Sequence, residues 1–181
     1  MILPNNIVRN INSLGILGIT IILFIGFVIQ IVYKELPCPL CLLQRVGFVL
    51  VMFGFMLNVI KGLRFRHYGV VMLGALFGGS VALRQISLHI VPGTGHYGSA
   101  IFGLHPYTWS FLFFAATLLA VALLLLVSHP RCTDQIFTVN KAERVMCWAA
   151  IVVTALNAIS ALLECGPLVC DDPPTHYKLL D

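Results

Sequence analysis

The sequence predicts an all-α integral membrane protein, a helix bundle with five transmembrane spans. Of its 181 residues, 59% are hydrophobic and only 10% are charged, whereas a soluble domain usually carries about 25% charged residues. Five apolar stretches are long enough to cross a bilayer, which takes about 20 helical residues. All nine prolines lie outside these stretches, as expected because proline breaks the interior of a helix.

The predicted spans form a single membrane domain over residues 1–181. In chain order they are 14–33, 42–60, 68–90, 107–127 and 145–163. The first is long and is followed by no small-residue cleavage site, so we expect a retained anchor and not a signal peptide. After the fifth span, residues 164–181 form a short polar tail that begins with Glu164.

The basic residues sort to one side of the predicted membrane. With the N-terminus in the cytoplasm, seven fall in inner segments and two in outer loops. The inner ones are Arg9, Lys61, Arg64, Arg66, Arg131, Lys141 and Arg144, and the outer ones are Lys34 and Lys178. This distribution follows the positive-inside rule and places the C-terminus outside. The net charge of +4 is spread along the chain, so nothing suggests a nucleic-acid partner.

The same topology divides the six cysteines. Cys38 and Cys41 lie on the outer side, and so do Cys165 and Cys170 in the tail. Because the outer compartment is oxidising and the cytosol is not, both pairs are predicted to be able to form disulfides. The remaining cysteines, on the inner side and without an assigned role, are Cys132 and Cys147.

Cys38 and Cys41 form a C-x-x-C motif directly before the second span. At a helix N-terminus, the helix dipole and nearby cations stabilise a cysteine thiolate. Arg45 is four residues past Cys41, so we expect both on one helix face. A charge inside the bilayer costs at least about a few kcal/mol, and a thiolate or an electron-rich cofactor beside Arg45 would offset that cost.

Two other interpretations of the motif stay open. It can be half of a zinc site, completed either by the tail cysteines or by His89 and His96. It can also be a structural disulfide, although so short a loop restrains little chain entropy. Redox chemistry explains the motif, its side of the membrane and Arg45 together.

Two stretches resemble the DsbB family of bacterial inner-membrane disulfide oxidases. The first is Cys38-Pro-Leu-Cys41-Leu-Leu-Gln-Arg45, opening the second span. The second is Arg84-Gln-Ile-Ser-Leu-His89-Ile-Val-Pro92, similar to the family's R-Q-x-x-L-Q-H-x-P. The resemblance covers about residues 10–127. It implies a four-helix core that reoxidises a periplasmic DsbA-like thioredoxin-fold protein and passes the electrons to membrane quinone, either ubiquinone or menaquinone.

The resemblance also implies roles for individual residues. Cys41 is expected to meet the quinone, and Cys38 to take electrons from a second disulfide. The end of the third span is expected to complete the quinone pocket, although Arg84 and His89 can instead be plain interfacial residues. The candidate cofactor-binding residues are therefore Arg45, Arg84, Gln85 and His89.

The chain departs from the family pattern in its second cysteine pair. Family members usually have four spans and carry this pair in the loop between the third and fourth, but here that loop, 91–106, has no cysteine. The tail instead carries Cys165-Gly-Pro-Leu-Val-Cys170, and the fifth span returns the tail to the outer side. We infer that the exchanging disulfide is relocated to a mobile tail, with Cys165 as the first choice for the mixed disulfide. The predicted catalytic residues are Cys38, Cys41, Cys165 and Cys170.

Two other functions are compatible with the outer cysteines. A reductase of the vitamin K epoxide reductase type also presents C-x-x-C to a quinone, but its motif normally lies late in the chain. A metal-handling or transport protein would usually need polar residues deep in several spans, and these spans contain few.

Overall fold

A computed structural model describes residues 4–33, 35–91, 93, 97–127, 138–166, 170, 174 and 177–179. Within these residues the chain is all-helical, apart from one isolated β-bridge between Ile101 and Leu104. The helices are α1 (Asn5–Val32), α2 (Pro39–Lys61), α3 (Phe65–His89), α4 (Pro106–Val127) and α5 (Lys141–Cys165). Each is long and apolar enough to cross a membrane, so the predicted all-α membrane bundle is confirmed.

Local sequence signals explain where helices α2 and α5 begin. Cys38 caps α2, and Pro39 occupies the first helical position, where proline's missing N–H costs nothing. Asn140 and Glu143 form a capping box at the start of α5, in which each side chain bonds the other residue's backbone N–H.

The helices pack in the order α5, α1, α2, α3, α4. The contact between α2 and α3 is the most extensive, α4 packs on α3, and α5 packs mainly on α1. Glycines allow α2 and α3 to approach closely, as small residues do at membrane helix crossings. A Cβ atom on Gly47 would lie 2.7 Å from the Gly78 Cα. Since α1 and α4 have no extensive contact of their own, a gap remains between them.

One end of the bundle contains the cysteine motif, and we call it the cysteine end: α1, α3 and α5 finish there, and α2 and α4 begin there. The opposite end is joined by buried polar contacts. Asn58 Nδ2 donates to Asn12 Oδ1 at 2.9 Å, and Asn12 Nδ2 donates to the Tyr68 hydroxyl at 2.7 Å. These bonds link α1, α2 and α3.

An ion pair fixes α5 to α1 at this same opposite end. Arg9 Nε donates to Glu143 Oε1 at 2.6 Å, and Arg9 Nη2 also contacts Oε2 of that carboxylate. Arg9 further donates to the Thr138 carbonyl at 2.7 Å. The positive charge of Arg9, near the start of α1, is therefore paired with Glu143 of α5.

Candidate redox site

The C-x-x-C motif forms the first turn of α2. Cys38 Sγ accepts a hydrogen bond from the Cys41 backbone N–H at 3.2 Å, which is the helix-capping contact. Both residues are thiols in this structure. Cys38 is only 2% exposed, whereas Cys41 is half-buried. Hydrogen bonding to Cys41, together with burial, raises the pKa of the Cys38 thiol far above its ordinary value, so Cys38 keeps its proton at neutral pH.

Gln85 of α3 contacts both sulfur atoms. Its Nε2 lies 3.1 Å from Cys38 Sγ and 3.4 Å from Cys41 Sγ. Its Oε1 accepts from Gln44 Nε2 at 2.6 Å, so Gln44 holds the amide with its N–H groups toward the sulfurs. Gln85 has no exposed surface. An N–H donor aimed at two sulfurs stabilises whichever of them becomes a thiolate.

Arg45 is half-buried and donates to acceptors from two other helices. Its Nη1 donates to Gln30 Oε1 at 2.8 Å and to Asn157 Oδ1 at 3.0 Å, and its Nη2 donates to the Gly26 carbonyl at 3.3 Å. The guanidinium also lies within electrostatic range of Cys41. Arg45 thus donates hydrogen bonds to neutral oxygen atoms of α1 and α5, and it lies within electrostatic range of Cys41 on its own helix.

Gln30 connects this cation to a carboxylate. While Gln30 Oε1 accepts from Arg45, its Nε2 donates to Glu164 Oε2 at 3.2 Å and to the Tyr177 hydroxyl at 3.3 Å. Glu164 is only 3% exposed. The sequence places this residue at the start of a polar tail, but the structure places it in the last turn of α5, facing α1.

The second cysteine pair lies next to this carboxylate. Cys165 and Cys170 form a disulfide with 4.4 Å between their Cα atoms. The described tail residues fold back on the end of α5: the Lys178 N–H donates to the Glu164 carbonyl at 3.2 Å, and the Leu179 N–H to the Leu163 carbonyl at 3.1 Å. The structure therefore brings both cysteine pairs to the cysteine end, with the polar network between them.

A cavity of about 490 Å³ opens beside the C-x-x-C motif. Its walls come from α1, from the start of α2, from residues 97–102 and from α4. Cys38, Cys41 and Arg45 line it together with aromatic side chains such as Phe48 and Trp109. Its volume falls within the usual range for small-molecule sites.

A second cavity of about 280 Å³ continues along the gap between α1 and α4. Phe48 and Phe113 line both cavities, and the walls of the second are almost entirely apolar. The two cavities together follow the gap from the cysteine end toward the middle of the bundle.

Comparison with known proteins agrees with this geometry. The family model for disulfide bond formation protein DsbB matches residues 8–99, just over half of the chain. This chain belongs to the DsbB family. Disulfide bond formation protein B of Chromohalobacter salexigens is 32% identical over 87 residues, which are 44% of this chain and 49% of that protein. The chain thus matches about half the length of this curated relative. No solved structure gave a significant match.

The DsbB family match covers the C-x-x-C motif, Arg45, Gln85 and His89, and stops before α4 and α5. The fifth helix and the tail disulfide are therefore outside the part shared with the family model. With five helices able to cross a membrane, this DsbB family member is a multi-pass inner-membrane protein.

The other residues predicted to bind quinone lie off the cavity. Arg84, Gln85 and His89 do not line it, because α3 is packed between α2 and α4. Arg84 is exposed. His89 Nδ1 lies 2.9 Å from the Gln85 carbonyl, and its ring packs against Tyr107, with 5.6 Å between ring centroids. The end of α3 therefore does not line this cavity. The expectation that it completes the quinone pocket, with Arg84, Gln85 and His89 as binding residues, stays a prediction.

The remaining cysteines and the zinc interpretation gain no support. Cys147 is a buried free thiol, and Cys132 lies outside the described residues. In the described part of the chain, no group of three or more His, Cys, Asp or Glu side chains is placed to hold a metal ion. His96, one of the proposed zinc ligands, also lies outside that part.

Sequence reasoning missed four polar residues of this site. Gln30, Gln44 and Asn157 are amides inside predicted spans, which is itself a signal, because polar groups are costly in a bilayer and usually have partners there. Glu164 gave no such signal, since it lies at the edge of the predicted fifth span.

Proposed function

We propose that this chain is a membrane thiol oxidase that takes electrons from a DsbA-like thioredoxin-fold protein in the periplasm. Two cysteine pairs carry the electrons to ubiquinone or menaquinone in the membrane. One observation carries the proposal: the two thiols of the C-x-x-C motif and the half-buried Arg45 line one apolar cavity. Family membership and the second disulfide at the same end support it.

The cavity suits a quinone in shape and chemistry. A flat ring can pack against the aromatic side chains of the wall, and an apolar isoprenoid chain can follow the second cavity between α1 and α4. Bound there, a quinone supplies an acceptor for two electrons and two protons. Arg45, held by α1 and α5, supplies positive charge where negative charge develops on the ring and on the Cys41 sulfur.

The electron path begins at the tail. One thiolate of the donor attacks the Cys165–Cys170 disulfide and forms a mixed disulfide. The donor's second thiol then attacks this mixed disulfide. The donor leaves with its own disulfide formed, and both tail cysteines become thiols. These thiols reduce the Cys38–Cys41 disulfide in the same way, with attack at Cys38. Each exchange moves two electrons, and the new thiols keep two protons.

The last step belongs to the C-x-x-C motif. We assign Cys41 as the thiol that reacts as thiolate, because it is half-buried whereas Cys38 is only 2% exposed, and Gln85 hydrogen-bonds its sulfur. The pair gives two electrons and two protons to quinone, and the Cys38–Cys41 bond re-forms.

Charge supports the proposed orientation, with the N-terminus in the cytoplasm. The end opposite the cysteines contains Arg9, Lys61, Arg64, Lys141 and Arg144, all at helix termini or in connections. Basic residues collect on the cytoplasmic side of bacterial membrane proteins. The cysteine end then faces the periplasm, where a disulfide persists.

The proposal is tested by quinone-dependent oxidation of a reduced thioredoxin-fold protein. We expect the purified chain in lipid nanodiscs to reduce a short-chain ubiquinone, followed by its absorbance, in proportion to donor disulfide formed. Cys41→Ser should abolish this turnover, and the Cys165→Ser/Cys170→Ser double variant should stop oxidation of the donor protein. Cys147→Ser is the matched control and should behave as the wild type. Undiminished turnover in Cys41→Ser would rule the mechanism out.

A further inference from the structure

The fifth helix does more than carry the tail to the periplasmic side. It contributes two polar side chains to the surroundings of Arg45. Asn157 Oδ1 accepts directly from Arg45, and Asn157 Nδ2 donates to the Leu23 carbonyl of α1 at 3.3 Å. Glu164 reaches the same cation through Gln30. Both residues lie beyond the part of the chain that the family model matches.

Glu164 is a buried acid that the proposed electron path does not use. Its Oε2 accepts from Gln30 Nε2, while its Oε1 has no hydrogen-bond partner among the described residues. A buried carboxylate is costly unless a positive charge or hydrogen bonds compensate it. Arg45 is a cation connected to this carboxyl group through Gln30.

The order of hydrogen bonds connects this carboxyl group to a positive charge. Arg45 donates to the Gln30 oxygen, which directs the Gln30 amide N–H groups toward Glu164. The chain therefore runs from guanidinium through amide to carboxylate, with each bond aligned in the same sense. Among the described residues, Arg45 and Cys41 of α2 lie within electrostatic range of Glu164, and Tyr177 of the tail accepts from the same Gln30 amide.

When Glu164 and Cys41 are both ionised, one cation is shared between two anions. Arg45 interacts electrostatically with Cys41 on its own helix and with Glu164 on α5. Glu164 also lies within electrostatic range of Cys41, and two negative charges in a medium of low dielectric repel each other. A charge on Glu164 therefore opposes a charge on the Cys41 sulfur in two ways.

We propose that Glu164 is a positioning residue for the redox pair: through Gln30 it holds Arg45 and shares that positive charge with the Cys41 thiolate. The fifth helix thereby restrains the reactivity of Cys41. This inference rests on the proposed function for its meaning, since the restraint matters only if Cys41 is the reacting thiol. It also gives a physical link between the tail pair and the C-x-x-C motif, because Glu164 is the residue next to Cys165.

The test measures alkylation of Cys41 in dithiothreitol-reduced protein, without quinone and without a partner. Iodoacetamide labelling at neutral pH is followed by mass spectrometry of the peptide that contains Cys41. Glu164→Gln keeps the shape of the side chain and removes its charge, so Cys41 should alkylate severalfold faster than in the wild type. Glu164→Asp keeps the charge and should return the rate close to the wild-type value.

The matched control is Glu143→Gln, the same substitution at the other end of the same helix. The two acids are 21 positions apart, and at a rise of about 1.5 Å per residue they are about 32 Å apart, too far for a direct effect. Glu143→Gln should lower thermal stability and leave Cys41 alkylation unchanged. Should Glu164→Gln fail to fold, Glu164→Met provides a second neutral side chain of similar size.

An unchanged or slower alkylation rate in both neutral Glu164 variants would overturn the inference. An equal acceleration in Glu143→Gln would do the same. Because the assay needs neither quinone nor donor protein, its outcome is separate from that of the turnover assay. A chain that reduces no quinone but shows the Glu164 effect would refute the proposed function and leave the inference intact.

Discussion

Replacing Gln85 with leucine removes the one side chain that hydrogen-bonds both sulfurs of the C-x-x-C motif. Gln85 Nε2 lies 3.1 Å and 3.4 Å from the sulfurs of Cys38 and Cys41, and the residue has no exposed surface. Leucine fills a similar volume and offers no donor. The substitution therefore leaves a developing Cys41 thiolate with Arg45 but without its hydrogen bond.

The size of the effect follows from the type of hydrogen bond. A bond to a charged group contributes about 1.5–3 kcal/mol. Since about 1.4 kcal/mol corresponds to a factor of ten, we expect Cys41 to alkylate about ten- to a hundredfold more slowly. The variant also leaves Gln44 Nε2, which donates to Gln85 at 2.6 Å, buried without its acceptor, at a cost of about 1–3 kcal/mol in unfolding free energy.

The assay compares Gln85→Leu with Gln44→Leu. Iodoacetamide labelling of the reduced protein gives the Cys41 rate, and thermal unfolding in detergent gives the stability. Both variants break the bond between the two amides and should lose stability to a similar degree. Only Gln85→Leu removes the donor to sulfur, so only it should slow alkylation strongly. Equal alkylation rates in the two variants would refute the role assigned to Gln85.

Two further predictions concern the bundle itself. Gly47→Ala places a Cβ atom 2.7 Å from the Gly78 Cα and should lower the unfolding free energy by about 1–3 kcal/mol through overpacking. The control Gly69→Ala has nothing within 4 Å of its Cβ and should not destabilise the protein. Equal melting temperatures for the two variants would contradict the close α2–α3 crossing. Arg9→Met leaves the buried Glu143 carboxylate unpaired and should cost about 3–5 kcal/mol. Adding Glu143→Met should recover much of that loss in thermal unfolding, and no recovery would show that the ion pair does not explain it.

The sequence predicted the architecture because the signal for a membrane helix is local. An apolar run of sufficient length identifies a span wherever its neighbours lie, and proline positions limit its ends. The C-x-x-C motif could also be identified from the sequence, since its two cysteines lie within one helical turn. The placement of Cys41 and Arg45 on one helix face follows from spacing alone, whereas the role of Cys38 as helix cap was seen only in the structure.

The partners of Arg45 were not predictable in the same way, because they depend on which helices are neighbours. The resemblance to the DsbB family directed attention to the end of α3, since its motif lies there. The fifth helix packs on α1 and brings Asn157 to the guanidinium, a contact 112 residues apart in the chain. Glu164 looked like an ordinary tail acid, and only the packing of α5 buries it. The cavity, likewise, results from α1 and α4 failing to pack on each other.

In the proposed mechanism, two cysteine pairs pass their electrons to one quinone site. The most direct measurement is the number of quinone molecules that one fully reduced protein can reduce. The reduced chain, freed of dithiothreitol, is mixed anaerobically with excess short-chain ubiquinone, and quinol is counted by absorbance. Each pair supplies two electrons, so the wild type should form two quinols per chain. Cys165→Ser/Cys170→Ser should form one, and Cys41→Ser none. One quinol from the wild type would exclude the tail pair from the path, and quinol formation by Cys41→Ser would contradict the account as a whole.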